Sequence, residues 1–368
     1  SDIGSKSVPK ISFGWQVDDS FYFRGSWSKG FRAPNLVQVN ETIVSRQIFG
    51  VDALLCLQQI NNNGEIDYCD YSFQRVARGS KNLRPEESTN ISLGIIYEPK
   101  NIDNLVFTID WWEIEKEDTI GLFGEDNILL SDLVLRMETN NISDCSLVQS
   151  NPYVFRDSLE ENEIQEYLQA GICPAGRVTR VEEQYRNLDT RIISGFDFSA
   201  RYFVNSDYGN FNFIVNISKL EKFRQKAGND FIELIDAQEK GIIPEELAIT
   251  GFSDLIEKDG SPKIQANFKF LWNRGSWGLG LFGRHIGEFY ETRNKLSDGR
   301  LWKVKAYNTI NTFIDYNFKI SGSQSNLRFG INNIADKRAP LASDIFGYYI
   351  DKHDNLGRSY YINFIHRY

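Results

Sequence analysis

Apolar and polar residues alternate with a period of two through most of this chain. In 210–218, Phe211, Phe213, Val215 and Ile217 fall on one side and Asn210, Asn212, Asn216 and Ser218 on the other. In 263–272, Ile264, Ala266, Phe268, Phe270 and Trp272 oppose Lys263, Gln265, Asn267 and Lys269. A two-residue period marks a β-strand with one apolar face. The same reading predicts strands over 11–17, 21–29, 88–98, 105–115, 189–203, 277–290, 304–320, 326–334 and 357–368, about eleven in all. Several reach the roughly 9–11 residues that a tilted strand needs to cross a bilayer. Strands of ordinary globular proteins average nearer 5–6 residues. The last segment, GRSYYINFIHRY, places Ile362, Phe364 and Tyr368 on one face and Asn363 and Arg367 on the other. In water such an apolar edge invites aggregation, whereas outer-membrane barrels end on strands of this kind.

Connections alternate as well. Short turns at 18–20, 99–103, 205–208, 273–275 and 321–325 are interleaved with long segments at 30–87, 116–188, 221–262, 291–303 and 335–356. Outer-membrane barrels have this asymmetry, with short periplasmic turns and long extracellular loops. Two long segments are expected to hold helices, from the spacing of Leu159, Ile164 and Leu168 and from 242–247 with its Pro244 start. If the short turns are periplasmic, the first and last strands both run toward the periplasm. The strand count is then odd, whereas single-chain bacterial barrels close with an even number. An N-terminal portion beyond this chain is therefore expected.

Composition agrees with this picture. The 368 residues include 26 Phe, 17 Tyr and 7 Trp, and mean hydropathy is −0.40. A barrel tolerates that low value because half its strand positions face a polar interior. No run of 18 apolar residues exists, so no transmembrane helix is expected. The net charge of −9, with both signs interspersed, argues against a nucleic-acid partner.

Four cysteines, Cys56, Cys69, Cys145 and Cys173, fall in two stretches without strand alternation. Their spacing is unlike the close knuckles of zinc sites, and no metal or other cofactor is expected. Three disulfide pairings are possible. Pairing within each stretch closes the smaller loops, which gives Cys56–Cys69 and Cys145–Cys173 in an oxidising compartment.

Four segments resemble the TonB-dependent outer-membrane receptors. SKGFRAPNL (28–36) is similar to the strand-to-loop motif midway through their barrels, and NLRPEESTNISLGIIYEP (82–99) to the Pro-Glu entry into the next strand. FTIDWWEIEKEDTI (107–120) resembles the strand that follows, and LRFGINNIADKRAP (327–340) the penultimate one. The resemblance implies an antiparallel transmembrane β-barrel in the outer membrane of a Gram-negative bacterium, surrounded by lipid. About eleven strands are present of an expected 22, with long loops carrying short helices. The N-terminal plug domain, the first half of the barrel and the TonB-binding segment are not visible here. It further implies that loops capture a small-molecule nutrient, a saccharide, siderophore or similar. The plug is moved by the inner-membrane TonB system, and Tyr360, Ile362, Phe364 and Tyr368 act as the terminal assembly signal.

Candidate ligand contacts lie in the loops and at their rim. Arg32 follows the first motif, where it could meet an anionic ligand or shape the strand exit. Tyr68, Tyr71, Tyr153, Tyr348 and Tyr349, with Phe73, Phe155 and Phe346, could stack on a ligand or pack the loops together. Trp15, Trp27, Trp111, Trp112, Trp272 and Trp277 suit interfacial girdles. NNNGEID (61–67) has part of a calcium loop's oxygen pattern but lacks an acidic first ligand, so a polar turn bounded by the disulfide is expected. His285, His353 and His366 belong to no catalytic motif, and no nucleophile elbow or phosphate loop occurs, so no enzyme is expected. The competing reading is a soluble extracellular β-sandwich that binds glycans.

Overall fold

The computed structural model describes residues 6–40, 43–64, 66, 69–296, 299–343 and 346–367; Tyr68 and Tyr368 lie outside the described residues. Eleven long strands form one continuous antiparallel sheet in strict chain order. They are β1 (Lys10–Gln16), β2 (Phe21–Arg32), β3 (Glu86–Tyr97), β4 (Leu105–Glu117), β5 (Arg191–Ser206), β6 (Gly209–Gln225), β7 (Ile264–Arg274), β8 (Trp277–Ile286), β9 (Tyr307–Ile320), β10 (Ser323–Asn332) and β11 (Ser359–His366). Because every pairing is antiparallel and the count is odd, β1 and β11 run in the same direction. Among the described residues each is paired on one side only, so the sheet is open.

Tight turns join the strands at one end. Ser321 and Gly322 take positive φ of 50° and 86°, the pairing of values a two-residue type I′ hairpin needs. Every connection at the other end is long, as the turn pattern predicts.

Register carries the alternation across the whole wall. One row of paired residues reads Trp15, Phe23, Ile95, Ile109, Phe198, Ile217. Another reads Phe211, Trp272, Leu279, Ile314, Phe329, Ile362. One residue along, the opposite face reads Ile96, Thr108, Ser199, Asn216, Asn267, Arg284. The apolar face is uncovered: Trp15, Ile95, Ile109, Ile314, Phe329 and Ile362 are all exposed. A belt of that extent has no place against water, and a sandwich would have buried it under a second sheet. Trp112 is a correction. It pairs with Ser92 and Gly195 on the polar side, so it cannot belong to an apolar girdle.

Aromatic rings lie over glycines on neighbouring strands. A Cβ on Gly280 would stand 2.3 Å from the Phe313 ring, and one on Gly330 2.2 Å from Tyr361. Glycine is required there because the ring occupies the space a side chain would fill.

Three boundaries differ from the sequence reading. Segment 277–290 divides, because Gly287 donates its N–H to the Ile264 carbonyl at 2.8 Å and ends the wall strand. Phe289–Lys295 then pairs with Leu301–Val304 as a separate rim hairpin. The helix expected at 242–247 lies earlier, as Asn229–Glu239; Gly241 turns out at positive φ, and the N–H groups of Ile242 and Ile243 cap its end on the Ala237 carbonyl. Residues 61–63 are the last turn of a helix rather than a polar loop, and Glu65 and Asp67 lie outside the described residues.

Candidate ligand-binding head

The long connections fold together into a compact head with its own apolar core. The first (33–85) holds α1 (Leu36–Val39) and α2 (Ala53–Asn63); the second (118–190) holds α3 (Glu125–Glu138) and α4 (Glu161–Gln169); the third (226–263) holds α5 (Asn229–Glu239). Strands Ile43–Val51, Asp70–Arg78, Val178–Gln184 and Val154–Arg156 make a four-stranded sheet in that order, drawn from the first two connections. Phe73, Leu54, Leu129, Leu133, Ile172, Val181, Leu234 and Ile243 are fully buried between this sheet and the helices. Each disulfide joins an expected pair: Cys56, on α2, to Cys69 beside the second strand, and Cys145 to Cys173 across the second connection.

A buried charge network ties the first connection to the second. Asp52 is the N-cap of α2, its Oδ1 accepting from the Leu54 N–H at 3.3 Å. The same carboxylate receives both Arg156 Nη atoms, at 2.9 and 3.0 Å, and the Tyr71 hydroxyl at 2.7 Å. Asp132 on α3 accepts from Arg156 Nη2 at 3.1 Å and from Arg136 Nε at 2.9 Å. Burial works against the Arg156 charge, but Asp52 and Asp132 outweigh it and hold the guanidinium protonated. Burial, with Asp52 beside it, raises the Tyr71 phenol well above its ordinary range, so it remains a donor. A second buried acid, Glu183, accepts from Arg75 Nε at 2.6 Å and from the Gly124 N–H at 3.1 Å, and burial pushes its carboxyl upward.

Two clefts open between connections. A cleft of about 350 Å³ has Phe49, Val51, Leu130 and Leu247 for walls and Asp70 and Glu246 among its polar groups. It draws on the first, second, third and fifth connections. Another of about 540 Å³ is lined by Tyr153 and Tyr185 together with Glu182, Asp230 and Glu233. Residues 118–190 carry fourteen acidic and five basic side chains, so the potential around this cleft is negative.

The structure does not gather the predicted contact residues into one place. Tyr153, 51% exposed, does face the larger cleft. Tyr71 is spent on Asp52 and the Val178 N–H. Arg32 makes a two-pronged pair with Glu86, at 2.8 and 2.7 Å, which locks the end of β2 to the start of β3. Tyr349 packs edge-on against Phe289 at 5.0 Å on the fifth connection, beside half-buried Tyr348. Sequence reasoning missed Asp52, Asp132 and Arg156. The available signal was Asp52 directly before the apolar run Ala53-Leu54-Leu55, which reads as a helix N-cap.

The profile of the family described as TonB dependent receptor-like, beta-barrel, matches residues 1–334. Among solved structures, the siderophore receptor PirA from Acinetobacter baumannii is similar at 18% identity and a TM-score of 0.54, covering 97% of this chain and 40% of that one. The ferric enterobactin receptor PfeA of Pseudomonas aeruginosa, solved as a mutant in complex with enterobactin, is similar at 14% identity and a TM-score of 0.55, covering 98% and 40%. This chain thus spans about two fifths of the length of the structures it matches, and at these identities the likeness is one of fold. No curated protein matches the sequence.

Proposed function

This chain belongs to the TonB-dependent receptor-like β-barrel family, and we propose on that premise that it forms half the barrel wall and a ligand-capturing head of an outer-membrane nutrient receptor in a Gram-negative bacterium. The observation that carries this reading is the open wall of eleven antiparallel strands, apolar and uncovered on one face, polar on the other, with a folded head at one end. The apolar face meets lipid, the polar face lines the lumen, and the tight turns lie in the periplasm. An N-terminal plug and the remaining strands, in the same or a companion chain, complete the receptor. The TonB system moves that plug to admit the ligand.

The family is one of receptors rather than enzymes, and the head's role is capture. Its acid surplus favours a small ligand that is neutral or cationic over one that is anionic. The uncovered belt stands against the soluble sandwich.

Membrane fractionation tests this reading. The chain should sediment with outer membranes, resist alkaline washing and be released by detergent alone. In vesicles of bromine-labelled lipid, fluorescence of the apolar-face tryptophans should be quenched. Recovery in the aqueous fraction without detergent would remove the basis of the proposal.

A further inference from the structure

A third cleft, of about 380 Å³, lies between α2 and α4, apart from the two clefts above. Its volume is typical of small-ligand sites. One wall is a single face of α2, where Leu55, Gln58, Gln59, Asn62 and Asn63 recur at helical spacing. The run of three asparagines that reads as a turn in sequence thus ends as part of a row of amides. Glu163, Glu166 and Gln169 face it from α4.

Two of those amides are unsatisfied. Gln58 is only 4% exposed, yet its side chain has no hydrogen-bond partner among the described residues. Asn62 donates from Nδ2 to the Glu166 carbonyl at 3.0 Å, while its buried Oδ1 has no donor among the described residues. Burial without a partner is unfavourable for the Asn62 oxygen, and a ligand in the cleft supplies the hydrogen bonds that the Gln58 amide lacks.

Three charged side chains line the cleft, Glu163, Glu166 and Arg177. Arg177 pairs with Glu163 at 3.6 Å, and Glu163 also accepts from the Glu160 N–H at 3.2 Å. An anion would compete with Glu163 for the arginine and be repelled by Glu166. A cation drawn to Glu166 would meet Arg177 in the same cleft, so the charges select neither sign. An amide both donates and accepts, as a hydroxyl does, so a row of amides matches vicinal hydroxyls. Leu55, Leu159 and Ala175 offer apolar surface for the C–H face of a ring.

We propose that this cleft is a subsite for a neutral saccharide, anchored by the Gln58 and Asn62 amides. It is separate from the wall's part in passage, and binding there is read without transport.

The test is calorimetric titration of the full chain in a zwitterionic detergent that carries no sugar headgroup. Maltoheptaose, laminarihexaose and xylohexaose serve as neutral probes, and polygalacturonate and chitosan oligomers as charged controls. At least one neutral oligomer should bind, and Gln58→Leu should weaken it tenfold or more. Asn63→Leu, at the exposed edge of the cleft, gives a second reading should Gln58→Leu fail to fold. Absence of binding by all three neutral probes, wild-type affinity in the folded variants, or equal binding of the charged controls would each overturn the proposal.

Discussion

Arg24 reaches across Gly94 to Asp110 two strands away, its Nε donating to Asp110 Oδ1 at 2.8 Å. The bare glycine makes the bridge possible, since a Cβ there would stand 1.9 Å from that oxygen and 2.9 Å from Arg24 Nε. Gly94→Ala should therefore break the pair and destabilise the wall by about 1–3 kcal/mol, as overpacking does. Urea titration in lipid vesicles measures it, and an unchanged midpoint would rule out the bridge as a structural element.

The two faces of the wall should respond oppositely to the same charge. Phe213 pairs with Phe270 on the apolar side, their rings 4.9 Å apart, while Asn212 sits on the polar side. Phe213→Arg should cost roughly 2–4 kcal/mol at the bilayer midplane and Asn212→Arg far less. Equilibrium unfolding of both variants in vesicles checks the difference, and equal costs would contradict the assignment of faces.

Replacing the head's central cation is expected to be more damaging than replacing the whole network. The Arg156 side chain is 6% exposed and faces two buried carboxylates. Arg156→Met leaves Asp52 and Asp132 uncompensated, a loss of about 3–5 kcal/mol. Combining it with Asp52→Asn and Asp132→Asn should restore much of that. Hydrogen exchange at α2 and α3 reports both outcomes.

Cys56→Ser should loosen α2 by about 3 kcal/mol at most, the value for closing a loop of this length. The bond spans a sequence separation of 13. Protease nicking between residues 53 and 70 should quicken, while unfolding of β5 to β11 is unaffected.

Acid should release the fifth connection from the rim. His353 is 4% exposed, stacks on Phe289 at 6.0 Å and meets the edge of Tyr307 at 5.3 Å, and its ring nitrogens have no partner among the described residues. Burial, with Arg284 and Lys352 nearby, lowers its pKa to about 4. An unfolded histidine titrates near 6.5. Between those values the opened state binds more protons, so closure is fully favoured above about 6.5 and weakens as pH falls toward 4. Proteolysis of segment 335–358 should accelerate over that window, and His353→Leu should abolish the pH dependence.

The wall was legible in sequence because a two-residue period leaves one face apolar, and the eleven strands follow that period directly. Phe213 and Asn212 fall on the faces their alternation assigns. The head was opaque for a physical reason. Its strands carry ion pairs on the same face that packs against the helices. Arg75 shares that face with Phe73 and meets Glu183 and Glu125 of α3, so the alternation of Asp70–Arg78 is masked. Arg156 joins Asp52 over a separation of 104 residues, a distance that no local pattern encodes. The disulfides were readable because closing short loops costs little chain entropy. Tyr71 reads in sequence as packing or binding because a loop aromatic looks alike in either role; its hydroxyl donates to Asp52 and accepts from the Val178 N–H.

One pair of strands in the head links its assembly to that of the wall. Gln74 lies beside Arg180 in a parallel ladder, and hairpin β3–β4 falls between them in sequence. Contacts so far apart form slowly, because chain entropy is lost before any contact compensates for it. Once β3 and β4 zip together, the stems of the first and second connections are held side by side, and the effective loop to be closed shrinks to the head itself. Zipping of the wall therefore shortens the search by which the head, and each cleft within it, takes shape.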